Sequence, residues 1–549
     1  MGQVFKGKKA IGETKLRGAY YTPPALADYL VWWAMKDGGS HILEPSFGDG
    51  NFLVSLYSKI SNSYPSKKVS ITGVELETTE FNTAKKRVES NDSVEFNLIN
   101  GDFFKQYESL KRDSFDVVIG NPPFIRFQNF NQESRDIAFS HLKNLGYKPS
   151  KLSNTWSAFV QLSIELLNRG GKIAMVLPAE IMQVNYASEL RSRIISSFSH
   201  MILVTFKKLV FEQIQQEVVL LLAEGKKQPD GTCCDVHTIE ISDERDLNCE
   251  ALENKIIQST QKHSGKNIKW TSFFLKDDEF SIINNILAND DIKKLGNFVD
   301  VDVGIVTGRN SYFVVDKARV KEHGLHDYVV PIVGRTSALK TIVLDEAQFG
   351  EFAKSKPSFL LNLKGTDRNL FHSGLKKYII SGENEGVHLG FKCRTRREWY
   401  GVPSVYVPDG FLFRQIHKFP LLVSNETGAT STDTIHRVRK KSNFNFVQLS
   451  ASFINSLTFL ACEIGGRSYG GGVLELEPNE SERLPVPFFE NLNLDIEYIK
   501  SQLELGQIED VLDYVDNLLL IKGLGLSKRE VATIRNAWIS LRDRRIFRK

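Results

Sequence analysis

The chain has 549 residues, 41% of them hydrophobic and 25% charged, with a net charge of +4. That length exceeds one ordinary domain and predicts two, while the composition excludes a disordered, collagen-like or coiled-coil chain. The small net charge neither requires nor excludes a nucleic-acid partner, so only local patches can argue for one.

In chain order, the basic segment Met1–Ala10 has no apolar run behind it and does not read as a signal peptide. Strand-like runs follow at His41–Pro45, Val69–Leu76, Val94–Ile99, Phe115–Gly120, Lys172–Leu177, Met201–Phe206 and Glu217–Ala223. Helical stretches separate most of them, at Pro24–Met35, Asn51–Ile60, Thr79–Ser90, Thr155–Asn168 and Asn185–Phe198. This alternation predicts an α/β, doubly wound, mainly parallel sheet. The last two strands have no helix between them and predict a hairpin closing the sheet edge. A polar stretch, Gly225–Lys269, predicts a domain transition, giving domains at 1–265 and 266–549. Beyond it, short β-type runs at Val301–Thr307, Tyr312–Val315, Thr341–Leu344 and Val405–Val407 alternate with turns, and Asp495–Lys549 turns helical, so the second domain is α+β. No apolar run is long enough to span a bilayer. The five cysteines (Cys233, Cys234, Cys249, Cys393, Cys462) contain no C-x-x-C pair. Neither a disulfide framework nor a metal site is expected, and a cytoplasmic protein without membrane contact fits.

The segment from His41 to Leu53 runs from strand through a glycine turn into helix. A dinucleotide site would place G-x-G-x-x-G here, with helix amides free for a pyrophosphate. This turn has only Gly48-x-Gly50 and carries Glu44 and Asp49, which repel phosphate and suit a cation. Glu75, ending the next strand, is placed to accept both hydroxyls of a ribose. After the third strand comes Asn100-Gly-Asp102-Phe-Phe, where Asp102 can accept an exocyclic amine and Phe103 or Phe104 can pack on a purine. A ligand with an adenine, a ribose, a positive centre and no phosphate is S-adenosyl-L-methionine.

The fourth strand ends in Gly120-Asn121-Pro122-Pro123-Phe124. Pro122 forces Asn121 out of the helical region and each proline fixes its own φ, so the turn is rigid. It lies at the carboxyl end of a sheet strand, where open α/β sheets bind ligands. A fixed Asn oxygen and the Pro122 carbonyl can accept both hydrogens of a planar amino group and turn its lone pair toward an electrophile. Phe124 can stack on the ring that carries the amine. This arrangement suits methyl transfer to an exocyclic amine through orientation and desolvation.

In motif content and order, the chain resembles the gamma class of DNA adenine-N6 methyltransferases of type II restriction–modification systems. Arg17-Gly-Ala-Tyr-Tyr21-Thr22-Pro-Pro is similar to that family's motif X, Glu44-Pro45-Ser-Phe-Gly48-Asp-Gly50 to motif I, Glu75 to the acid of motif II, Asp102 to that of motif III, and Asn121-Pro122-Pro123-Phe124 to the catalytic motif IV. Many relatives carry Tyr at the position of Phe124; both stack. The resemblance implies a Rossmann-like class I methyltransferase domain and cofactor contacts from Tyr21, Thr22, Glu44, Pro45, Gly48, Gly50, Glu75, Asp102 and Asn121. It implies catalysis by Asn121, Pro122, Pro123 and Phe124, and stacking of the target base on Phe124, Phe159 and Phe211. Phe159 and Phe211 also fit as plain core residues.

Val303-Gly-Ile-Val-Thr-Gly-Arg-Asn, Arg397-Glu-Trp-Tyr and Gly470-Gly-Gly-Val-Leu-Glu-Leu-Glu-Pro resemble the target-recognition region of type II adenine methyltransferases. The resemblance implies double-stranded DNA as partner, with the target adenine swung out of the helix. It also implies a monomer that shares its target with a cognate restriction endonuclease without a stable complex. Basic clusters at Lys392–Arg397, Arg437–Lys441 and Lys528–Lys549 suit phosphate contacts. Asn-Pro-Pro-aromatic turns also serve methyltransferases acting on RNA adenine or protein glutamine, and those remain the alternatives. A combined nuclease and a silent DNA-binding subunit fit less well: there is no P-D…E-x-K cluster, and the acids and the Asn-Pro-Pro-Phe turn are intact.

Overall fold

Short apolar runs bounded by turn residues become the strands of one large sheet. The computed structural model describes residues 21–150, 152–208, 210, 217–227, 234–242, 247, 261–263, 269–289, 292–469 and 471–547. The elements, in order, are α1 (Pro24–Ala34), β1 (His41–Glu44), α2 (Asn51–Ser63), β2 (Val69–Glu75), α3 (Thr78–Lys85), β3 (Val94–Asn100), α4 (Phe103–Gln106), β4 (Phe115–Gly120), α5 (Gln132–Asn144), α6 (Thr155–Leu166), β5 (Leu167–Pro178), α7 (Ser188–Ser197), β6 (His200–Phe206), β7 (Val218–Glu224), β8 (Cys234–Ile241) and β9 (Gln261–His263). Beyond His41 all of β1 is buried, as are Val117–Gly120 in β4 and Val218–Ala223 in β7. Strands covered on both faces carry such unbroken apolar runs instead of alternating ones.

The strand order is β3-β2-β1-β4-β5-β7-β6-β8-β9. Strands β1 to β5 pair in parallel. The chain moves outward from β1 to β3 and then returns to β4, so the order reverses between β1 and β4. The crevice at the carboxyl ends of those two strands is where such sheets hold ligands. Helices α1 and α2 cover one face, packing on Ile42, Ile71, Val117 and Val176, and α6 packs against β4 and β5.

The hairpin of β6 and β7 does not close the edge. β7 lies inside the sheet, antiparallel to both β5 and β6, and its apolar faces explain why: an exposed edge would leave them in water. β6 then pairs in parallel with β8, from within the stretch assigned to the domain transition. There Cys234, Val236, Ile239 and Ile241 are buried with polar residues among them, a pattern that overall polarity hid. Helix α5 is a further element that the sequence reading lacked.

By contacts, the chain divides between Asp277 and Asp278, the second unit comprising residues 278–468 and 472–546. This unit is α+β. Its five-stranded sheet runs Val299–Asp302, Ile435–Lys440, Gly410–Phe413, Leu422–Asn425, Val343–Leu344. Val405–Val407 forms no strand; Pro403 and Pro408 flank it, and neither can donate to a ladder. Tyr312 lies in a helical turn, Asn310–Phe313, because its ring stacks on Tyr378 at 4.8 Å and each hydroxyl donates to the other residue's carbonyl. The tail forms helices Ile496–Glu504, Ile508–Asp516 and Lys528–Ile546. Among the described residues no single helix is long and apolar enough to cross a membrane.

One glycine fixes the join between β1 and α2. Gly50 has φ +86°, and a Cβ there would stand 2.8 Å from the Ala84 Cβ of α3. Gly50→Ala should therefore lower stability by about 2–4 kcal/mol, from left-handed strain together with overpacking. Thermal unfolding checks this, and an unchanged midpoint would contradict the packing.

Candidate active site

Turns at the carboxyl ends of β1, β2, β3 and β4 bring the acids and the Asn-Pro-Pro-Phe segment to one side of the sheet. The turn after β1 is closed by local bonds: the Phe47 amide donates to Val74 O and the Gly50 amide to Phe47 O. The Gly48 amide donates to Glu75 Oε2 at 2.8 Å, and Glu75 Oε1 accepts from the Glu77 amide at 2.8 Å. Tyr21 covers the turn: a Cβ on Gly48 would lie 3.8 Å from its ring. The Tyr21 hydroxyl donates to Glu80 at 2.8 Å. Burial and that carboxylate hold it well above the ordinary tyrosine range.

Glu44 is fully buried, and neither carboxylate oxygen has a hydrogen-bond partner among the described residues. Burial pushes its carboxyl well above the ordinary value of 4.5, and the nearby Glu75 and Asp49 push it further. Glu75 and Asp49 are also raised, chiefly by burial. Arg87, which the sequence reading did not single out, pairs with Asp49 at 3.4 Å and donates to Asp49 O and to Asn51 Oδ1. Of these three desolvated acids Asp49 has a guanidinium and Glu75 two backbone amides, and Glu44 alone has no hydrogen-bond partner among the described residues.

Thr22 joins this turn to the end of β4. It is buried; its hydroxyl accepts from Asn121 Nδ2 at 3.2 Å and its carbonyl from Asn51 Nδ2 at 2.9 Å. A Cβ on Gly120 would meet Pro45 at 3.6 Å and Glu44 at 3.7 Å, so the Asn121 turn begins directly beside the end of β1. Past Pro122 and Pro123, Phe124 is half-buried and packs against the core below. The segment is then clasped to the start of α6. Ile125 O accepts from both the amide and the hydroxyl of Thr155, and the Phe127 amide donates to Asn154 Oδ1. Glu180, just past β5, takes three donors on one oxygen: Asn154 Nδ2 at 2.8 Å, Trp156 Nε1 at 2.9 Å and the Tyr186 hydroxyl at 2.7 Å.

Asp102 caps α4 by accepting from the Phe104 amide at 2.9 Å and also accepts from the Ser134 hydroxyl. Phe103 and Phe104 are buried. Phe159 stacks on Phe103 at 4.9 Å and meets Phe104 edge-on at 4.7 Å. The structure therefore puts Phe159 inside an aromatic cluster beneath the Asp102 turn. Phe211 and Arg17–Tyr20 lie outside the described residues. Ser134, Glu180 and Arg87 carried no signal in the sequence, since each acts through a fold contact with a segment at least 24 positions away.

The basic clusters divide in the same way. Arg437 is buried, lies 4.0 Å from the centre of the Tyr406 ring and donates to Val303 O and Ser404 O. Arg439 pairs with Asp302 and Lys441 with Asp300. Arg535 pairs with Asp513 and Asp516, and Arg545 is buried against Glu463. All of these side chains are engaged within the second unit, and Arg437 and Arg545 are buried in it. Among the described residues no group of three or more His, Cys, Asp or Glu is placed to hold a metal ion.

Residues 5–302 match the family model described as N-6 DNA Methylase, and residues 267–520 match that of the Type II methyltransferase M.Eco57I C-terminal domain. The chain is 24% identical over 539 residues to Type II methyltransferase M.AccI of Acinetobacter calcoaceticus, covering 92% of this chain and 93% of that one. It is 23% identical over 489 residues to Type II methyltransferase M.XamI of Xanthomonas campestris pv. amaranthicola, covering 87% and 86%.

The Glu44 carboxyl gives a pH test. Its raised value means the folded, ligand-free chain holds this proton more tightly than the unfolded chain. Its stabilising contribution is complete below about pH 4 and is lost as pH rises through the raised value. Glu44→Gln cannot ionise, so its ligand-free midpoint should exceed that of wild type by at least about 2 °C at alkaline pH and converge on it near pH 4. Equal midpoints at every pH would remove the case for a strained buried acid.

Proposed function

The chain belongs to the N-6 DNA methylase family, and from that premise we propose how its own residues transfer a methyl group to adenine N6 at a chosen sequence in duplex DNA. The family and the doubly wound fold imply S-adenosyl-L-methionine as donor, and the residues fit it. The unpartnered, fully buried Glu44 beside Glu75 and Asp49 suits a positively charged ligand without phosphates. That donor supplies an electrophilic methyl on a positive sulfur. Glu75 would hold the ribose hydroxyls, Asp102 the adenine amine, and Tyr21, Thr22 and Glu44, with Pro45 and the Gly48–Gly50 turn, the remainder.

On the target side, Asn121 Oδ1 and Pro122 O would accept the two N6 hydrogens and Phe124 would stack on the flipped ring. These contacts would turn the N6 lone pair toward the donor's methyl, so that the new N–C bond would replace the methyl–sulfur bond and the surplus N6 proton would pass to solvent. What supports this reading most is the bond from Asn121 to Thr22, which ties the turn after β4 to the segment before the glycine turn at the point where the strand order reverses. Phe159 would support the Asp102 turn from beneath. Residues beyond about 266 would read the sequence, and methylation would protect host DNA from an endonuclease of the same specificity that need not bind the enzyme stably. The enzyme would act as a monomer in the cytoplasm.

Sequencing of adenine-methylated DNA after incubation with the donor tests the activity. Asn121→Ala should keep donor binding and lose about 100-fold or more in turnover, because it removes an acceptor that matters chiefly in the transition state; near-normal turnover would refute the assignment. Glu75→Ala should weaken donor binding by about 1.5–3 kcal/mol, read by calorimetric titration, with an unchanged dissociation constant counting against the site.

A further inference from the structure

One surface of the second unit exposes what a merely solvated face has no use for. Phe391 and Leu389 keep 65% and 68% of their surface in water. Lys392 and Arg394 beside them are exposed, and the Arg397 side chain is 93% exposed. Lys392 Nζ lies 5.9 Å and Arg394 Cζ 5.5 Å from the centre of the Phe391 ring, so two cations of the same turn stand beside the ring. The base beneath is fixed. Cys393 is buried, and the amides of Cys393 and Arg394 both donate to Gly390 O. Arg396 turns inward, donating to Val306 O and Thr307 O and lying over the Phe313 ring at 5.5 Å. The cluster thus holds one structural cation and three facing water.

The turn Thr307-Gly308-Arg309 adjoins this surface: a Cβ on Gly308 would lie 3.1 Å from Lys392 Cβ and 3.2 Å from Cys393 Sγ. It adds Val306, 40% exposed, and Arg309. Two carboxylates offset part of the charge, Glu385 at 3.7 Å from Arg309 and Glu398 at 3.2 Å from Arg397. Lys392 and Arg394 have neither acid as an ion-pair partner. A protein-docking face is depleted of charge at its centre. Exposed apolar side chains with cations beside them instead match a polyanion whose base edges lie next to rows of phosphates.

We propose that the surface from Leu389 to Arg397 holds duplex DNA, with Phe391 and Leu389 against base and sugar edges in a groove and Lys392, Arg394 and Arg397 on phosphates. This rests on the reading of the enzyme as a duplex-DNA methyltransferase and gives its target choice a point of contact outside the methyl-transfer pocket.

The test uses the full chain with two duplexes: the sequence that wild type methylates, found by sequencing its products, and the same duplex with that sequence scrambled. Fluorescence anisotropy over a salt series reads affinity. The pair K392A/R394A should weaken both duplexes by the same factor and reduce the slope of log K against log salt by about 1.8. F391A should weaken the methylated sequence about tenfold and the scrambled one by less than about twofold. Both variants should unfold at the wild-type temperature and bind the donor as wild type does, because the altered side chains are exposed and outside its site. Wild-type affinity and salt slope in these variants, alongside a wild type that methylates DNA, would overturn the surface alone. A wild type that fails to bind or methylate duplex DNA would overturn the functional reading and the surface with it.

Discussion

Glu44 is taken fully out of water with no hydrogen bond from any described residue to offset it, and two further desolvated acids, Glu75 and Asp49, lie near it. A buried carboxylate without a cation loses several kcal/mol of hydration, and that loss raises the Glu44 carboxyl well above its ordinary value. The available cation, Arg87, goes to Asp49 instead. The glycine turn, whose amide is committed to Glu75, holds the acids together and cannot relax to relieve them. On the proposed reading a positive ligand would offset this desolvation, whereas an anion of similar size would add to it.

Legibility in the sequence followed the range of the interactions. Local patterns gave the strands from His41 to Glu224, since an apolar run between turn residues carries its own signal. Asn121-Pro122-Pro123-Phe124 could be read for chemistry because the prolines fix its shape whatever surrounds it. Features set by distant partners were hidden. Nothing in Ser134 or its neighbours announces Asp102, and Glu180 is an ordinary residue until the fold brings Asn154, Trp156 and Tyr186 to it. β8 was lost for another reason: its alternating burial is diluted by charged neighbours in a stretch whose composition suggests a linker.

Charge runs misled in the second unit because a count of cations does not say where they point. Arg437, Arg535 and Arg545 serve as internal cross-links, satisfying backbone carbonyls or buried acids. Removing one strands its partner, a change that acts on the frame. The turn from Leu389 to Arg397 differs in keeping both its apolar and its basic side chains turned outward.

The placement of β7 also shapes how the chain is made. Until Glu224 has left the ribosome, β5 and β6 both present open edges at the centre of the sheet, where an unpaired strand invites association with another chain. The 18 positions separating Phe206 from Glu224 take about 1–4 s to synthesise. The short hairpin lets β7 cover its edge of β6 within those seconds, whereas the β5 edge waits from Pro178 onward and the far edge of β6 waits for β8.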